Sequence, residues 1–544
     1  MEAQNRNTLF MSSVLTMLTS QLVVKAAGLL YRLVITNIDG FGDAGNGFYT
    51  AGFQLYTLLL AVSSVGIPNA ISKLVSAEAA IGHHAEADHI FRLALRLFFL
   101  IGLFCSGALF FGADFIAVHV IKMDGVQYTL QALAPSVTFV CVSSVIRGYF
   151  LGLGRVEATS RSQMLEQICK SVLTVVFVLA LSASSAEIMS AGANFATTVA
   201  TSISVWYLTR FYCRHKPAQV SSRGRRSRRS ALSLCRTILA VSIPISLGSI
   251  IIAIGRVIDT ATITRGLSDA FAGGIPGQPG LPTAAALNDE AVRLAGMLSK
   301  SDSLINLPLA LNIAFATVLV PTISSALASG RRQEAEEKVA FSLLISVLLI
   351  FPCSAGLIVL ARPIYQMIYP HAPLGWQLLQ ISAVGLIFMA LNQTVNGSLQ
   401  GLGKVTVPAK ALLCGVAVKV ALNNLLIRIP CVNIYGATIG SVVCHAVAFA
   451  ICFHHLQRAL PLQLPAGRYF WKPLFCTGLM AAAARGCYAA AVSVFRSNSA
   501  AVLLAVFAAV IGYLALVFAT HILTPKDILQ LPLRKSLRMK MLRM

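Results

Sequence analysis

Two basic side chains seven positions apart, Lys25 and Arg32, stand inside one apolar stretch near the start of this 544-residue chain. Seven residues are two helical turns, so both project from one helix face, and no acid accompanies them in that stretch. A charge at bilayer depth costs about 2.5–3.5 kcal/mol and persists where it faces a wet cavity or a partner of opposite sign. Other apolar stretches hold Arg96, Arg147, Lys170, Arg256, Lys300, Lys419 and Arg485, against only three acids, Glu166, Asp259 and Asp302. A cavity lined from this set is net positive. Its chemistry is electrostatic: Arg forks and Lys point charges receive phosphate-bearing anions and repel cationic drugs.

Some of these charges have plainer explanations. Arg96 and Arg147 fall near helix ends on the cytoplasmic side, where their stems can snorkel. Glu166 with Lys170 and Arg256 with Asp259 sit at i,i+4 and i,i+3, so each couple is either a neutral structural pair or part of a cavity. Lys300 and Asp302 open a span beside Ser299, Ser301 and Ser303, where headgroup anchoring is an equal alternative to cargo contact. Lys25 and Arg32 are the strongest functional pair, the alternative being an acid reaching them from another helix.

The elements that position these groups follow from composition. A chain that is 56% hydrophobic and 12% charged cannot hide its apolar surface in one soluble core. Its apolar runs are continuous over roughly twenty residues, which predicts transmembrane helices rather than a barrel of short alternating strands. Fourteen are expected, over residues 9–35, 48–68, 94–115, 128–151, 164–181, 188–211, 237–263, 294–320, 339–360, 376–399, 407–427, 434–453, 475–495 and 500–518. The first carries charge and no small-residue cleavage site, so it is read as a retained helix.

A formal net charge of +23 raises the question of nucleic acid. The basic residues concentrate in alternate connections and both tails, which is the positive-inside pattern and places both termini in the cytoplasm. Residues 210–236 alone hold nine basic side chains and no acidic one. This loop and the basic tail at 521–544 are read as topogenic segments touching anionic lipid headgroups, not as nucleic-acid arms. Twelve cysteines without a C-x-x-C pair, and histidine pairs at His83–His84 and His454–His455, give no metal-ligand pattern. No catalytic group, metal site or cofactor is expected, beyond coupling to membrane potential or a monovalent cation.

The chain also repeats itself. Gly152-Leu153-Gly154-Arg155-Val156 is echoed by Gly401-Leu402-Gly403-Lys404-Val405, and Ile67-Pro68-Asn69-Ala70-Ile71-Ser72 by Val320-Pro321-Thr322-Ile323-Ser324. Lys170 corresponds to Lys419 at the same spacing of about 250. Arg32 and Arg256 pair at a shorter spacing if a Gly- and Pro-rich insertion at 266–289 lengthens the second half. The Gly-Leu-Gly segments lack a Walker Lys-Ser pair and are read as tight turns ending helices. Two six-helix lobes of parallel topology follow, residues 1–212 and 237–458, with 213–236 between them and an extra helix pair at 470–520. A cargo site belongs between such repeats, which alternate access by rocking.

At this point a family pattern is recognisable. Ala27-Gly28-Leu29-Leu30-Tyr31-Arg32, Gly45-Asn46-Gly47-Phe48-Tyr49, Gly66-Ile67-Pro68-Asn69-Ala70-Ile71-Ser72-Lys73-Leu74, Leu165-Glu166-Gln167-Ile168 and Leu304-Ile305-Asn306-Leu307-Pro308 resemble segments of the MurJ-like lipid II flippases. They equally resemble the stage V sporulation protein B branch of polysaccharide exporters. The resemblance implies a MATE-like all-α fold of the multidrug/oligosaccharidyl-lipid/polysaccharide superfamily, its last two helices forming a groove for a lipid tail. It also implies a flippase of the bacterial cytoplasmic membrane acting on a polyprenyl-linked glycan precursor, with membrane lipids and other cell-wall proteins as partners. First-helix basic residues of such flippases face the pyrophosphate, and Lys25 and Arg32 match those positions. With them the candidate cavity set is Arg256, Lys300, Lys170, Lys419 and Asn46. Arginines that the flippases carry in the second and eighth helices are missing here, Lys300 standing near the latter. The rivals are a cation-coupled multidrug antiporter, which needs carboxylates in its cavity, a membrane scaffold without transport, and an intramembrane glycosyltransferase, which needs an acidic catalytic domain outside the bilayer.

Overall fold

The computed structural model describes residues 24, 27–61, 67–215, 231–271, 274, 281–328, 330–404, 406–524 and 527. Among these no strand occurs, and nine helices are long and apolar enough to cross a membrane. The helices are α1 (Ala27–Thr36), α2 (Gly42–Ala61), α3 (Ile67–Ala80), α4 (His84–Phe111), the short α5 (Ala113–Phe115) leading into a π-helical turn, α6 (Val126–Gly152), α7 (Val156–Ala180) and α8 (Ala186–His215). They continue as α9 (Ala231–Phe271), α10 (Ala284–Ala328), α11 (Arg332–Val359), α12 (Ala361–Ile368), α13 (Trp376–Gly401), α14 (Thr406–Leu426), α15 (Ile434–Ala459), α16 (Lys472–Phe495) and α17 (Asn498–Ala519).

Several expected boundaries move. Of the stretch 48–68, expected as one span, residues 48–61 lie in α2 and 67–68 open α3, and 62–66 lie outside the described residues. The α9 and α10 helices run 41 and 45 residues, so the expected insertion at 266–289 is helical at both its ends. Gly266 lies inside α9, where an added Cβ would meet Ile427 at 2.8 Å. At 1.5 Å per residue, α10 is about 68 Å long, well beyond a hydrocarbon slab of about 30 Å.

Two compact units are present. The first comprises Met1–Lys300 with Asn423–Ile434, the second Ser301–Leu422 with Tyr435–Met544, so this division falls within α10. In the first unit α6 is the central helix, contacted by α2, α3, α4 and α8, while α9 packs on α2, α3 and α4. Its core includes Ile71, Phe91, Val145, Tyr149 and Phe150. Gly148 and Gly152 let α6 touch the backbone of α3, since a Cβ at either would lie 2.8–2.9 Å from a carbonyl oxygen or Val75. In the second unit α11 packs on α13 and α16, and α16 pairs with α17.

The repeat is written into the backbone of each unit. Gly154 and Gly403 adopt φ of +74° and +77°, and the next residue's N–H reaches back five residues, Arg155 to Phe150 O at 2.8 Å and Lys404 to Leu399 O at 2.9 Å. Both echoes are therefore the glycine-terminated helix end expected of them. Two more pairs of glycines stand at nearly the same spacing: Gly82 with Gly330 (φ +78° and +71°) and Gly125 with Gly375 (φ +97° and +95°). The helices that follow Gly82 and Gly330, α4 and α11, are each 28 residues long.

Candidate functional site

In the first unit α1 and α2 are bound together by a short polar ladder. Thr36 donates to the Arg32 carbonyl at 2.7 Å, and Asn46 Nδ2 donates to Thr36 Oγ1 at 2.8 Å and to the Gly42 carbonyl at 2.9 Å. The Asn46 amide is thus occupied in joining two helices. Ser190 of α8 donates to the Gly45 carbonyl at 2.6 Å and fixes the same turn of α2 from the other side.

On this frame sits a cluster of two cations and three aromatic rings. Arg32 Nη2 donates to Thr50 Oγ1 at 2.7 Å, Thr50 shares a 2.7 Å hydrogen bond with Ser299, and the guanidinium carbon lies 5.1 Å from the centre of the Tyr49 ring. The Tyr31 and Tyr49 hydroxyls meet at 2.8 Å. Tyr49 stacks on Phe53 at 5.8 Å. Lys170 of α7 completes the cluster, its Nζ 4.2 Å from the centre of Phe53 and 5.9 Å from that of Tyr31. Lys170 is 8% exposed, and among the described residues no carboxylate lies within ion-pairing distance of it. Its charge is held by the negative faces of two rings, an arrangement worth about 2 kcal/mol when desolvated.

Lys170 is not paired with Glu166. That carboxylate goes to Arg147 of α6, whose Nη2 reaches Glu166 Oε2 at 2.6 Å and Ser204 at 3.0 Å while Nε donates to Ser162 at 3.0 Å. Arg147 therefore does not snorkel: its side chain is 12% exposed and ties α6, α7 and α8 together. A helix-face pair one turn apart loses to an interhelical one because the planar guanidinium satisfies three acceptors at once.

Lys300 is ion-paired as well. Its Nζ lies 2.6 Å from Asp43 Oδ1, with 1% and 10% of the two side chains exposed. The contact is brought about by glycines, since α2 and α10 cross so closely that a Cβ on Gly296 would fall 1.7 Å from the Asp43 carbonyl, and one on Gly47 2.2 Å from that of Val292. Arg256 is exposed on α9. Lys419, half-buried on α14, belongs to the second unit. Lys25 lies outside the described residues.

The structure thus gathers Arg32 and Lys170 from the sequence candidates and surrounds them with Tyr31, Tyr49 and Phe53, which the charge count had passed over. Their signal was available: Tyr31 adjoins Arg32, and Tyr49 and Phe53 share a face of α2 at i,i+4. Chemically, the group can hold an anion by two cations and the one phenolic O–H left free by the Tyr31–Tyr49 bond, in a setting of low dielectric. Among the described residues no cluster of three or more His, Cys, Asp or Glu side chains could hold a metal ion.

A family model described as polysaccharide biosynthesis protein matches residues 10–327, and one described as lipid II flippase MurJ matches residues 291–531. The chain is 25% identical over 438 residues to the uncharacterized membrane protein YabM of Bacillus subtilis, covering 80% of this chain and 78% of that one. It is 23% identical to stage V sporulation protein B of the same organism, with 85% and 86% covered, and 24% identical to its lipid II flippase MurJ, with 71% and 72% covered. Among solved structures it resembles the lipid II flippase MurJ in an inward closed conformation, with TM-score 0.69 and 14% identity over 92% of this chain and 98% of that one. An inward-facing multidrug resistance MATE family transporter of the MOP superfamily gives TM-score 0.66 and 14% identity over 82% and 98%. At such identity the structural likeness is one of fold: an all-α, polytopic, MATE-like membrane protein.

Proposed function

Because this chain belongs to the polysaccharide biosynthesis protein family, we propose that it flips a polyprenyl-pyrophosphate-linked glycan precursor, of the lipid II kind, across the bacterial cytoplasmic membrane. The observation that carries this reading is Lys170, a lysine almost wholly removed from solvent, set against aromatic faces beside Arg32 with no carboxylate in ion-pairing reach among the described residues. A diphosphate entering this neighbourhood meets a guanidinium fork, an ammonium and one free phenolic O–H, and its charge offsets what the rings only partly compensate. An organic cation meets the opposite field. The relatives whose names state an activity are flippases, in keeping with this direction of charge.

The work is binding and release on alternate sides of the membrane, with no bond made or broken in the cargo. The lipid tail stays in the bilayer while the headgroup passes, driven by membrane potential or a monovalent cation and without a resident cofactor. Both termini are cytoplasmic in this reading, and other membrane proteins of cell-wall synthesis are its neighbours.

The test follows lipid-linked precursors by leaflet after depletion of the protein, with rescue by Arg32→Ala, Lys170→Met and Lys25→Ala. Precursor is expected to accumulate in the inner leaflet on depletion and to remain there with Arg32→Ala and Lys170→Met. Full rescue by both variants refutes the site, and unchanged precursor distribution on depletion refutes the cargo class.

A further inference from the structure

The last hairpin of the chain carries a charge that the described fold does not compensate. Arg485 stands 13 residues after Lys472 and 10 before Phe495 in α16, about 20 Å and 15 Å from the two helix ends. Phe470 and Trp471, 45% and 62% exposed, mark the interfacial end of this helix, which puts Arg485 well inside the hydrocarbon. The side chain is exposed, and no carboxylate among the described residues pairs with it. Arg147, by contrast, is 12% exposed and bonded to Glu166, Ser162 and Ser204.

The surface around Arg485 differs from the rest of the hairpin. Gly478, Ala482 and Gly486 follow one another at four-residue spacing and are all exposed. A Cβ added at Gly478 or Gly486 would meet nothing within 4 Å. The inward residues of α16, Cys476, Met480, Ala484 and Ala491, are those buried in its packing with α11 and α17, so the open face takes no part in the fold. On α17 the outward positions are Leu503, Phe507, Val510, Ile511 and Leu514, each more than half exposed. Large apolar side chains are thus what α17 offers to acyl chains, and α16 exposes Phe475 and Leu479 toward one end and Val494 and Phe495 at the other, with bare backbone and a guanidinium between them.

We propose that this face of α16 docks a transmembrane helix of another membrane protein, one that carries an Asp or Glu at mid-bilayer depth opposite Arg485. Charge complementarity selects that occupant. A second copy of this chain, paired about a two-fold axis along the membrane normal, sets Arg485 against Arg485. An acyl chain offers the guanidinium no acceptor. A carboxylate on a helix drawn close over Gly478, Ala482 and Gly486 supplies the missing acceptor and removes the cost of a lone charge in lipid. The surface shares no residue with the Arg32–Lys170 cluster, so its test does not depend on the headgroup site.

The experiment uses the full chain, carrying a fluorescent donor at its C-terminus, in phosphatidylcholine vesicles with acceptor-labelled synthetic helices. These are Leu/Ala helices with one small-residue stripe and a central Asp, Leu or Lys. Energy transfer is expected to show the Asp helix binding about tenfold tighter than the Leu helix, with the Lys helix weakest. Arg485→Leu is expected to erase the difference, Arg485→Lys to keep part of it, and Ala482→Ile to weaken every helix. Equal binding of Asp and Leu helices overturns the proposal, as does an Asp preference that survives Arg485→Leu. Loss of that preference when phosphatidylglycerol is added assigns Arg485 to lipid phosphate and also overturns it. Arg485-dependent transfer between two copies of the chain does the same in favour of self-association.

Discussion

Replacing Lys300 by methionine tests whether this ammonium belongs to the fold or to the cargo path. The 2.6 Å pair with Asp43 is nearly dry, at 1% and 10% exposure, so Lys300→Met strands a carboxylate where water barely reaches. Removing one partner of a buried pair costs about 3–5 kcal/mol, whereas replacing both by apolar groups is close to neutral. Lys300→Met and Asp43→Leu are therefore each expected to lose about 3–5 kcal/mol, and the double variant to recover at least about 2 kcal/mol of the summed loss as coupling. The measurement is detergent-driven unfolding in bicelles, followed by the fluorescence of the three tryptophans, with precursor flipping assayed on the same preparations. Strictly additive losses refute the structural reading of the pair. A double variant that regains stability but does not flip precursor gives Lys300 a direct part with cargo.

Two further expectations follow from the backbone. Gly296→Ala is expected to yield little folded protein by size-exclusion chromatography, because its methyl would fall 1.7 Å from a carbonyl oxygen that cannot step aside, whereas Gly107→Ala, in open space on α4, is expected to be neutral or stabilising by up to about 1 kcal/mol. Gly154→Ala and Gly403→Ala each force a side chain into a left-handed backbone at φ of +74° and +77° and are expected to cost about 1–2 kcal/mol apiece, with Asn better tolerated than Ala at both; unequal losses at the two sites would mean the turns are not equivalent.

Features set by short stretches of chain were legible in the sequence. Continuous apolar runs announce helices, and a glycine after a run announces where one ends, since both depend on neighbours within a turn or two. Pairings set by tertiary packing were not. Glu166 invites Lys170 one turn away, yet Arg147 takes it from another helix with better hydrogen-bond geometry. Asp43 and Lys300 are 257 positions apart, and nothing local to either marks the glycine crossing that brings them together. Asn46 was chosen as a cargo contact because of its motif, but its amide spans two helix segments. The glycine pairs 82/330 and 125/375 keep the repeat spacing, but their flanking residues differ, so only the backbone shows them to be equivalent.

Those three glycine pairs act as a ruler along the chain. From 82 to 125 to 154 the strides are 43 and 29 residues, and from 330 to 375 to 403 they are 45 and 28. Chemistry between the marks differs in places, with His84 against Arg332 and Glu86 against Glu334 side by side in the same turn, while the stride differs by no more than two. A slab of lipid is indifferent to which apolar residue crosses it but not to how many do, since each adds about 1.5 Å. Change of length is thereby expelled from the crossings into the connections, and the segment between α9 and α10, which has no counterpart of its size in the first half, is where this chain has spent that freedom.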